Sequence, residues 1–163
     1  MTDDVRPLIE VQEYSYDRAG AGLRESFPRA VAMDLPRMAA FLDRTRYAVL
    51  ATGRPDGRPH AAPIAFSVWR GAFWIATVRG ARLRNLKSRP YASIVVMDGD
   101  VRPQHRTVIA EGPVTIHEDA GMGQADPAFG ENWRMRFGSD PTWAAAMLEL
   151  RPERVFSFDG TLE

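Results

Sequence analysis

AFWIATVRGARLRNLKSRPYASIVVM, residues Ala72 to Met97, begins and ends as strand. Phe73, Ile75 and Thr77 alternate onto one face, and Ser93 to Met97 is a β-branched, apolar run. Between the two strands Arg79, Arg82, Arg84, Lys87 and Arg89 crowd a loop and a short predicted helix. Five like charges repel one another, so the segment is either a solvated basic face or a cluster around an anion. The Thr77 hydroxyl at the strand end and the amides of Gly80 and Ala81 at a helix start are donors that a phosphate would use. Spacing alone leaves both readings open.

Outward from this stretch, the chain alternates short strands with tight turns. Asp34-Leu35-Pro36 opens a predicted helix to about Arg44, with Asp34 as cap and Leu35, Met38, Ala39, Phe41 and Leu42 on its apolar face. Tyr47 to Thr52 reads as a strand, and Arg54-Pro55-Asp56-Gly57 as a turn with Gly57 at positive φ. Pro59 to Trp69 reads as a second strand, irregular or edge-like because Pro59 and Pro63 cannot donate to a ladder. Asp98 to Pro103 is a polar loop, and Thr107 to Thr115 a strand with a possible bulge at Gly112. Ala120 to Gly130 is a Gly/Pro-rich loop, and Asn132 to Phe137 a short helical stretch. Thr142 to Leu150 is expected as a helix with Trp143, Ala146, Met147 and Leu150 on one face, and Arg154 to Phe158 as a closing strand. The sum is a mainly β protein with flanking helices and five or six antiparallel strands, a barrel or sandwich. Residues 1–30 show weak periodicity and are expected as an N-terminal arm, draped on a partner subunit or partly disordered. Residues 31–163 are expected as the domain.

Composition narrows the function classes. At 163 residues, 45% hydrophobic and 26% charged, the chain suits one globular domain with a real core. No apolar run approaches the ~20 residues of a membrane span, and the acidic start lacks a signal-peptide core, so the expected setting is cytoplasmic, with no membrane partner. The absence of Cys removes disulfides, thiolate metal sites and a Cys nucleophile. Formal net charge is +0, which argues against a nucleic-acid partner. His60, His105 and His117 form no His-x-x-x-His or Glu-x-x-His cluster, so no metal site is expected.

With these segments in place the sequence resembles the FMN-binding split-barrel family, which contains pyridoxamine-phosphate oxidase and the flavin/deazaflavin oxidoreductases. Three segments carry the resemblance. AVLATGRPDGRPHAAPIAF (Ala48 to Phe66) is similar to the family's first hairpin. FWIATVRGARLRNLKSRPYASI (Phe73 to Ile94) is similar to its phosphate-binding strand and helix, and RTVIAEGPV (Arg106 to Val114) to its Arg-x-Val-x-x-Glu-Gly-x-Val strand. The resemblance implies an antiparallel split β-barrel, a homodimer with cofactor sites at the interface, and FMN as cofactor. A deazaflavin coenzyme is the alternative, and haem, which some split barrels hold, ranks behind both.

The resemblance also implies roles. Thr77 corresponds to the hydroxyl at the cofactor phosphate, and Arg82 to a phosphate-binding cation that is commonly Lys. Arg84 and Lys87 correspond to further cations. Ala62, Pro63, Ile64 and Ala65 correspond to the strand whose backbone faces the flavin ring, and Thr107 to a ring-contacting position often held by Gln. Thr107 in place of that Gln and Ala62 in place of a usual Arg argue against pyridoxamine-phosphate oxidase proper. Gly80-Ala81 replaces a frequent Ser, removing one phosphate donor. The implied activity is hydride transfer to or from a small organic substrate, and no catalytic side chain is singled out. A non-catalytic flavin- or haem-binding module is the alternative, and a cofactor-free dimer the third reading. His60 lies where a substrate or ring edge would lie in this family, although a surface-strand role is the simpler reading. Trp133 is the expected site-facing aromatic, and Arg134 and Arg136 beside it belong to a solvated helix face or meet an anionic tail. Glu111 is expected to pair with an Arg.

Overall fold

The computed structural model describes residues 1–99, 104–118 and 127–162. The chain runs α1 (Thr2–Asp17), α2 (Ala21–Ser26), α3 (Leu35–Arg44), β1 (Tyr47–Gly53), β2 (Pro59–Ala65), β3 (Ser67–Trp69), β4 (Ala72–Thr77), α4 (Ala81–Ser88), β5 (Tyr91–Asp98), β6 (Arg106–His117), α5 (Pro127–Phe137), β7 (Ala146–Leu150) and β8 (Arg154–Asp159). Short 3-10 turns lie at Arg29–Val31 and Gly160–Leu162.

Several elements form for local reasons. The Asp34 carboxylate accepts a hydrogen bond from the Arg37 backbone N–H at 3.0 Å, capping α3. Met38, Ala39, Phe41 and Leu42 bury the apolar face of that helix, as the spacing predicts. Gly57 sits at φ +88° in the β1–β2 turn. Arg70 and Gly71 both take positive φ in the two-residue β3–β4 turn, the geometry that matches strand twist.

Every strand pair is antiparallel, in the order β2-β1-β5-β6-β7-β4-β3 with β8 pairing β6. The twelve residues of β6 join two halves. Its first part pairs with β5 and β8, and from Val114 onward it pairs with β7. Gly112 stands at this switch in regular register with Ala92, so it is not a bulge. A side chain there would run into the backbone of Arg151 and Pro152, and only glycine allows that approach. The main core lies on the even-numbered face of β1 and β5, where Leu50, Ile94 and Val96 pack with Phe41, Phe66 and Phe73.

Four expectations need correction. Ala146–Leu150 is strand, not the end of a helix, and Trp143 is 61% exposed in a turn. β7 lies between β4 and β6 with both faces covered, so its residues show no alternation and the apolar run fits a helical template equally well. Second, the described residues hold eight strands, because β7 is added and Pro59 to Trp69 breaks into β2 and β3 at the buried Phe66. Third, helix α5 begins at Pro127, inside the stretch expected as loop; residues 120–126 of that loop, and 100–103 of the Asp98 to Pro103 loop, lie outside the described residues.

The fourth correction concerns the N-terminal segment. Thr2–Asp17 is a helix whose Val5 and Leu8 are fully buried in the main core. Its polar side also faces inward. Ser15 Oγ accepts from the Val155 N–H at 3.0 Å, Tyr16 Oη donates to the Ser157 carbonyl at 3.0 Å, and the Ser157 hydroxyl donates to Gln12. Ser15 and Tyr16 thereby satisfy backbone groups on the outer edge of β8, an edge that would otherwise invite another strand. Among the described residues no helix is long and apolar enough to cross a membrane.

Candidate functional site

The site is built at the end of β4. Thr77 is the last strand residue, paired with Ala146 and almost fully buried. The chain then passes Val78 and Arg79, both exposed, and enters α4 through Gly80. Gly80 has extended backbone and no side-chain cap, and the space beside it is open. The first amides of α4 therefore have no side-chain cap at Gly80, and the first turn holds no acidic residue.

Arg82 sits one position into this helix. Its Nη1 donates to Thr77 Oγ1 at 3.3 Å. Its Nε is buried with no partner among the described residues, and burial pushes the guanidinium pKa below its usual value. A half-buried cation without a counter-charge among the described residues, beside a hydroxyl and an uncapped helix start, favours an anion. The residues present thus fit an anionic group such as the cofactor phosphate.

One turn further on, Asn85 anchors the helix. Its Nδ2 donates to Thr52 Oγ1 at 3.0 Å, and both residues are buried. This clamp ties α4 to β1. In the strand register Thr52 lies opposite His60, whose Nδ1 is also buried without a partner.

The five cations do not form one cluster. At 100° per residue Arg82, Asn85 and Leu86 share the inner side of α4, while Arg84 and Lys87 occupy the outer side and are exposed. Lys87 Nζ pairs with Glu118 at 2.8 Å, and Arg89 donates to the Pro55 carbonyl at 3.0 Å. The outer cations are the solvated face, and Arg82 alone turns inward.

β2 ends the sheet, and its outer edge pairs with no strand among the described residues. Along it Ala62 and Ile64 share the inner face with His60, and Pro63 and Ala65 share the outer face. Thr107 lies elsewhere. It pairs with Met97 and Phe158 on β6, three strand steps from β2, about 14 Å at the usual ~4.8 Å spacing. A single chain therefore does not bring Thr107 to Ala62–Ala65.

Other expected site residues serve the interior. Trp133 does not face a site; it is buried with Ala76, Phe129 and Met147 under α5. Arg136 is neither solvated nor free for a ligand. Its Nε donates to the Phe66 carbonyl at 2.8 Å, Nη1 to Asp43, and Nη2 to Leu42 and Thr45, so it caps the end of α3. Arg134 pairs with Asp140 at 3.0 Å. Glu111 pairs with Arg154 at 3.1 Å, as expected. His117 bonds Glu149 at 3.0 Å and stacks on Trp74, and His105 stacks on Phe158. Sequence reasoning missed the Asn85–Thr52 clamp. Its only signal was Asn85 in the Asn-Leu-x-x-x-Pro segment, which gives no hint of the partner strand.

A family model described as pyridoxamine 5'-phosphate oxidase matches residues 35–158. No curated protein matches the sequence. Among solved structures, a conserved hypothetical protein from Mycobacterium tuberculosis is 23% identical with a TM-score of 0.66, over 83% of this chain and 91% of that one. An F420 reductase is 26% identical with a TM-score of 0.56, over 71% and 93%. The haem storage protein HutZ from Vibrio cholerae is 20% identical with a TM-score of 0.57, over 74% and 92%. The first and third likenesses speak to the fold alone.

Proposed function

The chain belongs to the pyridoxamine 5'-phosphate oxidase family, a split-barrel fold, and from this we propose that it binds a phosphorylated flavin or deazaflavin and uses it as an oxidoreductase on a small organic substrate. The observation that carries the reading is Arg82, a half-buried guanidinium with an unpartnered Nε beside Thr77 and the open start of α4. Thr77 and Arg82 hold the phosphate. The backbone of Ala62, Pro63, Ile64 and Ala65, at the free edge of β2, runs along the ring. Arg84 and Lys87 lie outward, where FMN has nothing to reach them but the acidic tail of a deazaflavin coenzyme does.

The second part of the proposal is a homodimer that completes the site. Tyr47, Val49, Tyr91 and Met97 form an exposed apolar patch on the odd-numbered face of β1 and β5. Thr107 opens on that same face, so a second copy seated there would bring its own ring-contacting strands to the site. When bound, the cofactor supplies hydride transfer; the protein binds, orients and shields it. Ala62 and Thr107 stand where the oxidase of the family name is expected to carry Arg and Gln, so this activity is not assigned to pyridoxamine phosphate.

The test is equilibrium binding of FMN and of a deazaflavin coenzyme, followed by fluorescence. Arg82→Ala is expected to weaken either at least tenfold, since charge-assisted hydrogen bonds are the strong ones. The Arg84→Ala/Lys87→Ala pair is expected to weaken the deazaflavin coenzyme more than FMN. Unchanged affinity in a folded Arg82→Ala variant would remove the phosphate assignment.

A second reading, a non-catalytic flavin or haem carrier, is favoured by one feature: His60 Nδ1 has no partner, whereas His117 is bonded to Glu149. A Soret band in the purified protein, in place of a flavin spectrum, would select it.

A further inference from the structure

Three buried side-chain atoms among the described residues lack a hydrogen-bond partner: Thr45 Oγ1, His60 Nδ1 and Arg82 Nε. Two of the three belong to one corner of the fold. Arg82 and Asn85 share the inner side of α4, Asn85 holds the Thr52 hydroxyl at 3.0 Å, and Thr52 lies opposite His60 across the β1–β2 ladder. His60 shares its strand face with Ala62 and Ile64. A buried ring nitrogen left unpaired forfeits its hydrogen bond to water without replacement, so the native state is expected to supply a partner. Neither Thr52 nor Asn85 bonds it, although the two bond each other.

We propose that His60 is a ligand-contacting residue of the Arg82 site, its Nδ1 hydrogen-bonding the hydroxyl-bearing chain that links the phosphate to the ring of the bound flavin or deazaflavin. This rests on the cofactor reading above. Imidazole suits the position because one ring nitrogen donates and the other accepts, and a polyol offers both partners. Arg82 holds the charged end of the ligand, and His60 fixes the neutral segment next to it.

The experiment compares His60→Leu, His60→Gln and Arg82→Ala with the native full-length protein. FMN and deazaflavin affinities are read by fluorescence titration, and thermal melting is recorded without ligand. His60→Leu is expected to lose about tenfold in affinity, while melting no lower than native because it removes an unpaired polar atom. His60→Gln, which keeps a donor and an acceptor, is expected to recover most of the affinity. A loss below threefold in His60→Leu, alongside a tenfold loss in Arg82→Ala, overturns this inference and leaves the phosphate site standing. Equal loss in His60→Leu and His60→Gln also overturns it. Native protein that binds neither cofactor removes the underlying reading together with it. A Soret band that disappears in His60→Leu assigns His60 to iron and overturns the polyol contact.

Discussion

Arg136 shows how much a single side chain can hold. Its guanidinium serves four backbone carbonyls, three of them at the end of α3, with the donors of its planar fork. Arg136→Ala leaves several buried acceptors unpaired and is expected to cost about 3 kcal/mol or more, measured by denaturant unfolding. Arg136→Lys should recover less than half, because an ammonium cannot span the same carbonyls. Arg134→Ala, which removes only an exposed pair with Asp140, should stay within about 1 kcal/mol. Asp159 gives a pH prediction. Burial alone would raise its pKa, but hydrogen bonds from Thr161 and the nearby Arg106 outweigh that, and the net shift is downward. A carboxyl with a depressed folded pKa contributes stability above its unfolded value, near ~3.9, and loses it as pH falls through the folded value. The melting-temperature gap between native protein and Asp159→Asn should therefore be constant from pH 7 to 5 and close below about pH 4.

At the scale of elements, α1 is the test of how the sheet is finished. Its apolar residues enter the core, its Ser15 and Tyr16 satisfy backbone groups on the outer edge of β8, and its Gln12 accepts from the Ser157 hydroxyl. Leu8→Ala is expected to cost about 2–5 kcal/mol, as for any buried leucine that leaves a cavity. Ser15→Ala should cost about 1–3 kcal/mol by orphaning the Val155 N–H, and its unfolding should retain the native denaturant slope. Neither helix nor edge was legible in residues 1–30. Pro7 lies inside the helix, where a proline in sequence signals a break, and the inward side mixes Val5 and Leu8 with Gln12, Ser15 and Tyr16, so the apolar period is broken. In contrast α3 was legible from Asp34 to Arg44, since its cap and its apolar stripe both lie within its own ten residues.

At the scale of the molecule, the exposed patch of Tyr47, Val49, Tyr91 and Met97 is where the proposed second copy would sit. Met97→Glu adds a charge to it without touching the core and is expected to shift the protein to monomer in sedimentation at micromolar concentration. Cofactor binding should fall with the dimer if Thr107 acts across the interface. A Met97→Glu dimer of native stability would displace the interface from this face. A native monomer with full cofactor affinity would show that one chain suffices.

The sequence by itself determined what depends on near neighbours. The Asp34 cap, the Gly57 turn, the alternating strands β1 and β5, and the strand–helix order around Thr77 and Arg82 all rest on contacts within a few residues, so composition and spacing report them directly. Only the tertiary structure decided that Ala146–Leu150 is a strand, that residues 2–17 close the edge of β8, and that Arg136 caps a distant helix. It also decided that of five cations in one short segment only Arg82 turns inward. Each of these outcomes is set by which backbone or side chain arrives from far along the chain to satisfy a buried group, and no local pattern encodes that partner.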